Sequence, residues 1–130
     1  DTASGGELSR LMLGIKAITA RTMNLPTIIF DEVDTGVSGD IANKIGEMMS
    51  EMSGRIQVIA ITHLPQVAAH ANAHLMVYKT DNEHSTITQV KTLDEQEHVL
   101  EIARMLSGKN VNQAAIENAK SLIGQKKYDR

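Results

Sequence analysis

Two short apolar runs, Thr27-Ile28-Ile29-Phe30 and Val58-Ile59-Ala60-Ile61, each give way abruptly to polar residues that can do chemistry: Asp31-Glu32 after the first, Thr62-His63 after the second. Between them Ile41, Ile45, Met48, Met49 and Met52 recur at helical spacing, which predicts an amphipathic helix closed by Gly54. Strand, helix and strand in that order imply a right-handed parallel crossover, and runs without alternation predict strands buried on both faces. Ligands of such sheets bind beyond the carboxyl ends of the strands, where Asp31, Glu32 and His63 all fall. The expected fold class is α/β, a largely parallel sheet flanked by helices.

The remaining segments fit around that unit. Ser4 and Glu7 have the S-x-x-E spacing of a capping box, and Leu8, Leu11, Met12, Ile15 and Ile18 follow at helical spacing, predicting a helix from about Gly6 to Thr22. Asn24 and Pro26 end it. Pro65 suits the first turn of a short helix running to His70. Leu75-Met76-Val77-Tyr78 and Ile87 to Val90 read as a hairpin around Asp81-Asn82-Glu83. Two helices complete the chain, one with Val99, Ile102, Ala103 and Leu106 ending near Gly108, the other with Ala115, Ile116, Ala119, Leu122 and Ile123.

Composition narrows the function classes. At 130 residues the chain makes one domain at most, and 42% hydrophobic residues suffice for a core. A formal charge of -3 leaves no basic footprint for nucleic acid, so any DNA contact is expected from other parts of a larger molecule. The absence of cysteine excludes disulfides and thiolate metal sites. With no long apolar run and no signal-peptide pattern, a soluble cytoplasmic protein without a membrane partner is expected. The chain begins at Asp1, almost on a glycine turn, and is expected to be a piece of something larger.

Three clusters carry chemistry. In Ser4-Gly5-Gly6-Glu7 the adjacent glycines free backbone N–H groups at a helix start, where a phosphate can bind. Asp31 and Glu32 point opposite ways in an extended strand, but a turn at the strand end lets both reach one site. There one carboxylate can hold Mg²⁺ and the other orient an attacking water. His63 can donate to a terminal phosphate. Each has a plainer reading: acidic residues also cap strands, and a histidine can be a hydrogen-bonded structural residue. His70 and His74 lie four apart, but Ala71-Asn72-Ala73 is expected to end the helix between them, which argues against a zinc pair. Met48, Met49 and Met52 read as core filler.

Taken together, Ala3-Ser4-Gly5-Gly6-Glu7, the strand Thr27 to Glu32, the loop Val33 to Gly36 and His63 resemble the signature motif, Walker B strand, D-loop and switch histidine of ABC-type ATPase heads. The likeness is to their SMC-like, DNA-repair branch and covers nearly the whole chain. It implies that two heads sandwich ATP. Ser4, Gly5, Gly6 and Glu7 of one head, with Asp34 of its D-loop, would serve the nucleotide held by the other; Asp31 would hold Mg²⁺, and Glu32 and His63 would be catalytic. It further implies a homodimer of heads, a coiled coil elsewhere, DNA bound through other parts, and a nucleoid role in double-strand break repair. Ala3 and Glu7 depart from the Leu and Gln of transporters. No G-x-x-x-x-G-K-S/T is present, so residues 1–130 would be the C-terminal lobe of a head, inactive alone without its Walker A loop. Two other readings stand beside this one: a non-catalytic interaction module, and a metallohydrolase using Asp31, Glu32, Asp34 and His63.

Overall fold

A computed structural model describes residues 5–32, 36–37 and 39–128. The elements follow the expected order: α1 (Gly5–Thr22), β1 (Thr27–Asp31), α2 (Gly39–Met52), β2 (Gln57–Ile61), α3 (Pro65–Ala68), β3 (Leu75–Asp81), β4 (Thr86–Thr92), α4 (Glu95–Ser107) and α5 (Gln113–Tyr128). β1 and β2 pair in parallel, in register from Thr27 opposite Gln57 to Asp31 opposite Ile61, with α2 as the crossover between them.

Only one face of this pair is covered, which corrects the expectation of strands buried on both. Phe30 is wholly buried with Ile28 and Val58 against the first core, whereas Ile29, Ile59 and Ile61 on the opposite face are 56%, 40% and 52% exposed. Their β-branched side chains reflect a sheet whose second face meets no partner among the described residues. The stripe expected to bury α1 is corrected in the same way. Leu11, Met12, Ile15 and Ile18 are exposed, and the helix meets the core through Leu13 and Ala20, seven residues apart. Both faces of α1 are apolar, so periodicity found the stronger stripe but not the one that meets β1 and α2.

Asn24, at φ 52°, ends α1 in a Schellman arrangement, with the Leu25 N–H bonded to the Ala20 carbonyl at 3.0 Å and the Asn24 N–H to that of Arg21 at 3.3 Å. Asn tolerates this left-handed backbone, and the turn delivers the chain into Pro26 and β1. Ser4, the other half of the expected capping box, and the side chain of Leu8 lie outside the described residues.

Two cores result. Leu13, Phe30, Val37, Ala42, Ile45, Met49 and Val67 form the first, with Met48 and Met52 partly buried against it, as the core-filler reading of the methionines expects. Ala68, Ala69, Ile102, Ala103, Ala115 and Ala119 form the second, where small residues let α3, α4 and α5 approach closely. The one turn of α3 therefore belongs to both, Val67 to the first and Ala68 to the second.

The hairpin is longer than the two expected runs because Asn82 organises its turn, its Oδ1 accepting from the N–H groups of His84 and Ser85 at 3.2 and 2.8 Å. α4 carries a full capping box: the Asp94 carboxylate accepts from the Glu97 N–H at 2.8 Å, and Glu97 accepts from the Asp94 N–H at 3.1 Å. Gly108 ends the helix with φ 77°.

The hairpin is tied to α4 by two histidines. His74 Nδ1 lies 2.7 Å from His98 Nδ1, with the rings edge to face. A hydrogen bond between these nitrogens requires one of them to keep its lone pair. Burial lowers the His74 pKa below 6.5, an effect that nearby Glu101 only partly opposes. A histidine with a depressed folded pKa supports stability that is fully present above 6.5 and lost as pH falls through the folded value. Urea denaturation between pH 7.5 and about pH 5 should show the chain losing stability on acidification, and His74→Asn should flatten that loss. Parallel pH curves for the two proteins would remove the histidine pair from the explanation.

Candidate functional site

The carboxyl ends of β1 and β2 bring the expected residues to one edge. Asp31 closes β1 opposite Ile61, and the Glu32 N–H donates to the Ile61 carbonyl at 2.9 Å, so the ladder continues one residue past the strand. Thr62 and His63 follow Ile61 directly, and adjacent strands lie about 4.8 Å apart. Asp31, Glu32 and His63 are all exposed at this edge. The Thr62 hydroxyl oxygen accepts from the Leu64 N–H at 3.0 Å, shaping the turn that carries His63.

Glu32 has φ 51°, a left-handed backbone that a non-glycine residue adopts at a cost of about 1 kcal/mol or more. The turn has a geometric effect. Alternation along a strand would send Asp31 and Glu32 to opposite faces, and the left-handed residue breaks that alternation at the strand end.

Gly5, Gly6 and Glu7 make up the first turn of α1, with Glu7 exposed. Ser4 and Asp34 lie outside the described residues, as do Val33 and Thr35 of the expected D-loop. Asp31 offers hard oxygen donors at an open edge, which suits Mg²⁺, an ion commonly held by one or two carboxylates together with waters and substrate phosphates. Among the described residues no group of three or more His, Asp or Glu side chains converges on a metal position. A cavity of about 590 Å³ lined by Arg21, Leu25, Pro26, Met52 and Arg55 lies at the opposite, amino-terminal ends of the strands.

The sequence reading missed a contact close to this edge. His70, expected as the end of a longer α3, is buried beyond it, and its Nε2 lies 3.2 Å from Asn43 Oδ1 on α2. The signal available was Gly46, a glycine inside the helical apolar pattern of α2, which marks a close approach.

The architecture defines a class. A solved chain from work on ATP-driven dimerisation and DNA-stimulated activation of SMC ATPases superposes with a TM-score of 0.64 at 19% identity, covering 83% of this chain and 64% of that one. The fold is thus α/β, like part of an SMC ATPase and consistent with a lobe of a P-loop NTPase. No protein-family model matches. In sequence the chain is 50% identical to the DNA repair protein RecN of Bacillus subtilis over 123 residues, 48% to that of Rickettsia conorii over 121, and 44% to that of Streptomyces coelicolor over 128. These alignments cover 95%, 93% and 98% of this chain. The chain belongs to the RecN family as a segment, spanning about a fifth of its relatives' length, between 21% and 22%.

Proposed function

We propose that the chain is the C-terminal lobe of an SMC-like ATPase head acting in DNA double-strand break repair and recombination, where paired heads hydrolyse ATP. The observation that carries this reading is the junction of β1 and β2, where Asp31, a left-handed Glu32 and His63 leave adjacent parallel strands at one edge. The matching RecN sequences support the biological setting.

Each residue then has a role that its chemistry allows. Asp31 would hold Mg²⁺, which when bound neutralises charge developing on the β- and γ-phosphates. Glu32 orients the attacking water and takes its proton as oxygen approaches the γ-phosphorus, while His63 donates to a γ-phosphate oxygen. Ser4, Gly5, Gly6 and Glu7 contact nucleotide bound to the second head, since backbone N–H groups at a helix start and the helix dipole favour phosphates. Asp34, between β1 and α2 in the sequence, would serve the nucleotide held by the other head. The Walker A loop and coiled coil belong to other parts of the complete protein, as do the DNA contacts, and the whole works at the cytoplasmic nucleoid. Among the described residues no helix is long and apolar enough to cross a membrane.

The test is Ser4→Arg in the complete protein. A long cationic side chain at the glycine turn obstructs the partner's phosphate, so ATP-dependent pairing of heads should be lost while a single head still binds nucleotide. Light scattering with and without ATP measures the first and calorimetry the second. Undiminished ATP-dependent pairing would sink the assignment of the turn.

A further inference from the structure

The turn carrying His63 is followed at once by α3, which is gripped from one side by α2. A Cβ at Gly46 would lie 2.4 Å from His70 Cδ2 and 2.7 Å from the Gln66 carbonyl oxygen. A side chain could swing away from such an approach, but a backbone oxygen cannot, so any larger residue at 46 displaces α3. The buried His70 ring lies over this glycine, 3.2 Å from Asn43 Oδ1, and Asn43 Nδ2 in turn donates to Glu47 Oε1 at 3.2 Å. That second bond fixes which end of the amide is oxygen, so His70 Nε2 carries the proton and donates.

We propose that Asn43, Gly46 and His70 are positioning residues for His63: they fix where α3 stands, and with it the Thr62-His63-Leu64 turn at the end of β2. The proposal rests on reading His63 as a nucleotide-contacting residue. With four residues, α3 is too short to hold its place through its own hydrogen bonds. Burial of Pro65, Val67 and Ala68 and the clasp at its exit hold it instead. Its backbone is bonded straight to the turn, the Val67 and Ala68 N–H groups donating to the Leu64 carbonyl at 3.1 and 3.0 Å. The Leu64 N–H donates in turn to the Thr62 hydroxyl oxygen at 3.0 Å. Movement of α3 therefore passes to both neighbours of His63. Because α2 starts at Gly39, the clasp also ties that helix to the histidine's strand end.

The experiment compares His70→Leu, His70→Gln and Gly46→Ala with wild type in the complete protein. Leucine keeps apolar volume without the donor, and glutamine places an N–H near the position of Nε2. In His70→Leu and Gly46→Ala, kcat for ATP should fall roughly tenfold to a hundredfold, the cost of a small misplacement, with KM little changed. His70→Gln should restore most of the rate. Amide exchange in the peptide spanning residues 62–68 should quicken in the first two variants and remain unchanged in β1. Normal kcat in His70→Leu overturns the proposal, whether or not exchange changes. Faster exchange throughout β1 with kcat and KM both impaired also overturns it, since the clasp would then only stabilise the fold. Glu32→Gln in the same assays separates the two levels of inference. If that variant turns over ATP normally, the nucleotide-site reading falls, while exchange in residues 62–68 still reports whether the clasp holds the turn.

Discussion

Glu32→Gln in the complete protein should leave ATP bound and heads paired while turnover falls by roughly a hundredfold to ten-thousandfold, the usual effect of removing a general base. Glutamine keeps the size and one acceptor of Glu32, so the strained backbone and the bond from its N–H to Ile61 can persist. What disappears is the negative charge that, in the proposed role, takes the proton from water. Asp31→Asn should behave differently: weakening the expected Mg²⁺ ligand impairs nucleotide binding as well as rate, so fewer paired heads accumulate. Turnover by phosphate release and pairing by light scattering distinguish the two patterns. If Glu32→Gln hydrolysed ATP at the wild-type rate, Glu32 would be a strand-capping acid and its left-handed backbone would need another explanation.

Phe30→Ala should destabilise the 130-residue chain by about 3–5 kcal/mol, the largest single-residue stability effect expected here. Phe30 is the only phenylalanine in the chain and is wholly buried in the first core. The Lys16 ammonium sits 5.6 Å from its ring centroid, adding a weak cation–π contact. Truncation leaves a ring-sized space between β1 and the helices that Ile28, Ile45 and Met49 cannot fill without moving β1, and Asp31 with it. Phe30→Leu should cost much less because most of the volume is kept. Urea midpoints of the three proteins test the order. A Phe30→Ala midpoint within experimental error of wild type would mean that the core lies elsewhere.

Local signals in the sequence were enough for element type and order. Glycine and proline punctuation placed β1, α2, β2 and the start of α3 correctly, because those residues restrict the backbone wherever they occur. The capping box at Asp94 and Glu97 was equally readable from its D-x-x-E spacing, although it was not used. Burial was less legible. The apolar run of β1 reads the same whether one face or both are covered, and α1 carries apolar residues on two faces, so neither periodicity could say which side meets Phe30. The places of Asp31, Glu32 and His63 at the strand ends could be read because each lies within two residues of an apolar run. The clasp of Asn43 and His70 could not, since 27 residues separate its members and only folding brings them together. The His74–His98 pair was hidden for the same reason, at a separation of 24 residues.

Among the described residues each of the four strands is paired along one side only, β1 with β2 and β3 with β4. The consequence is colloidal. Every strand presents a row of backbone donors and acceptors able to template another chain, and β4 in particular combines Thr86, Ile87, Thr88, Val90 and Thr92 with the single charge of Lys91. In a preparation of this chain alone, concentration should therefore favour association through these edges. Dilute samples favour the monomer, and concentrated ones favour strand-to-strand aggregates whose growth a second lysine on β4 would slow.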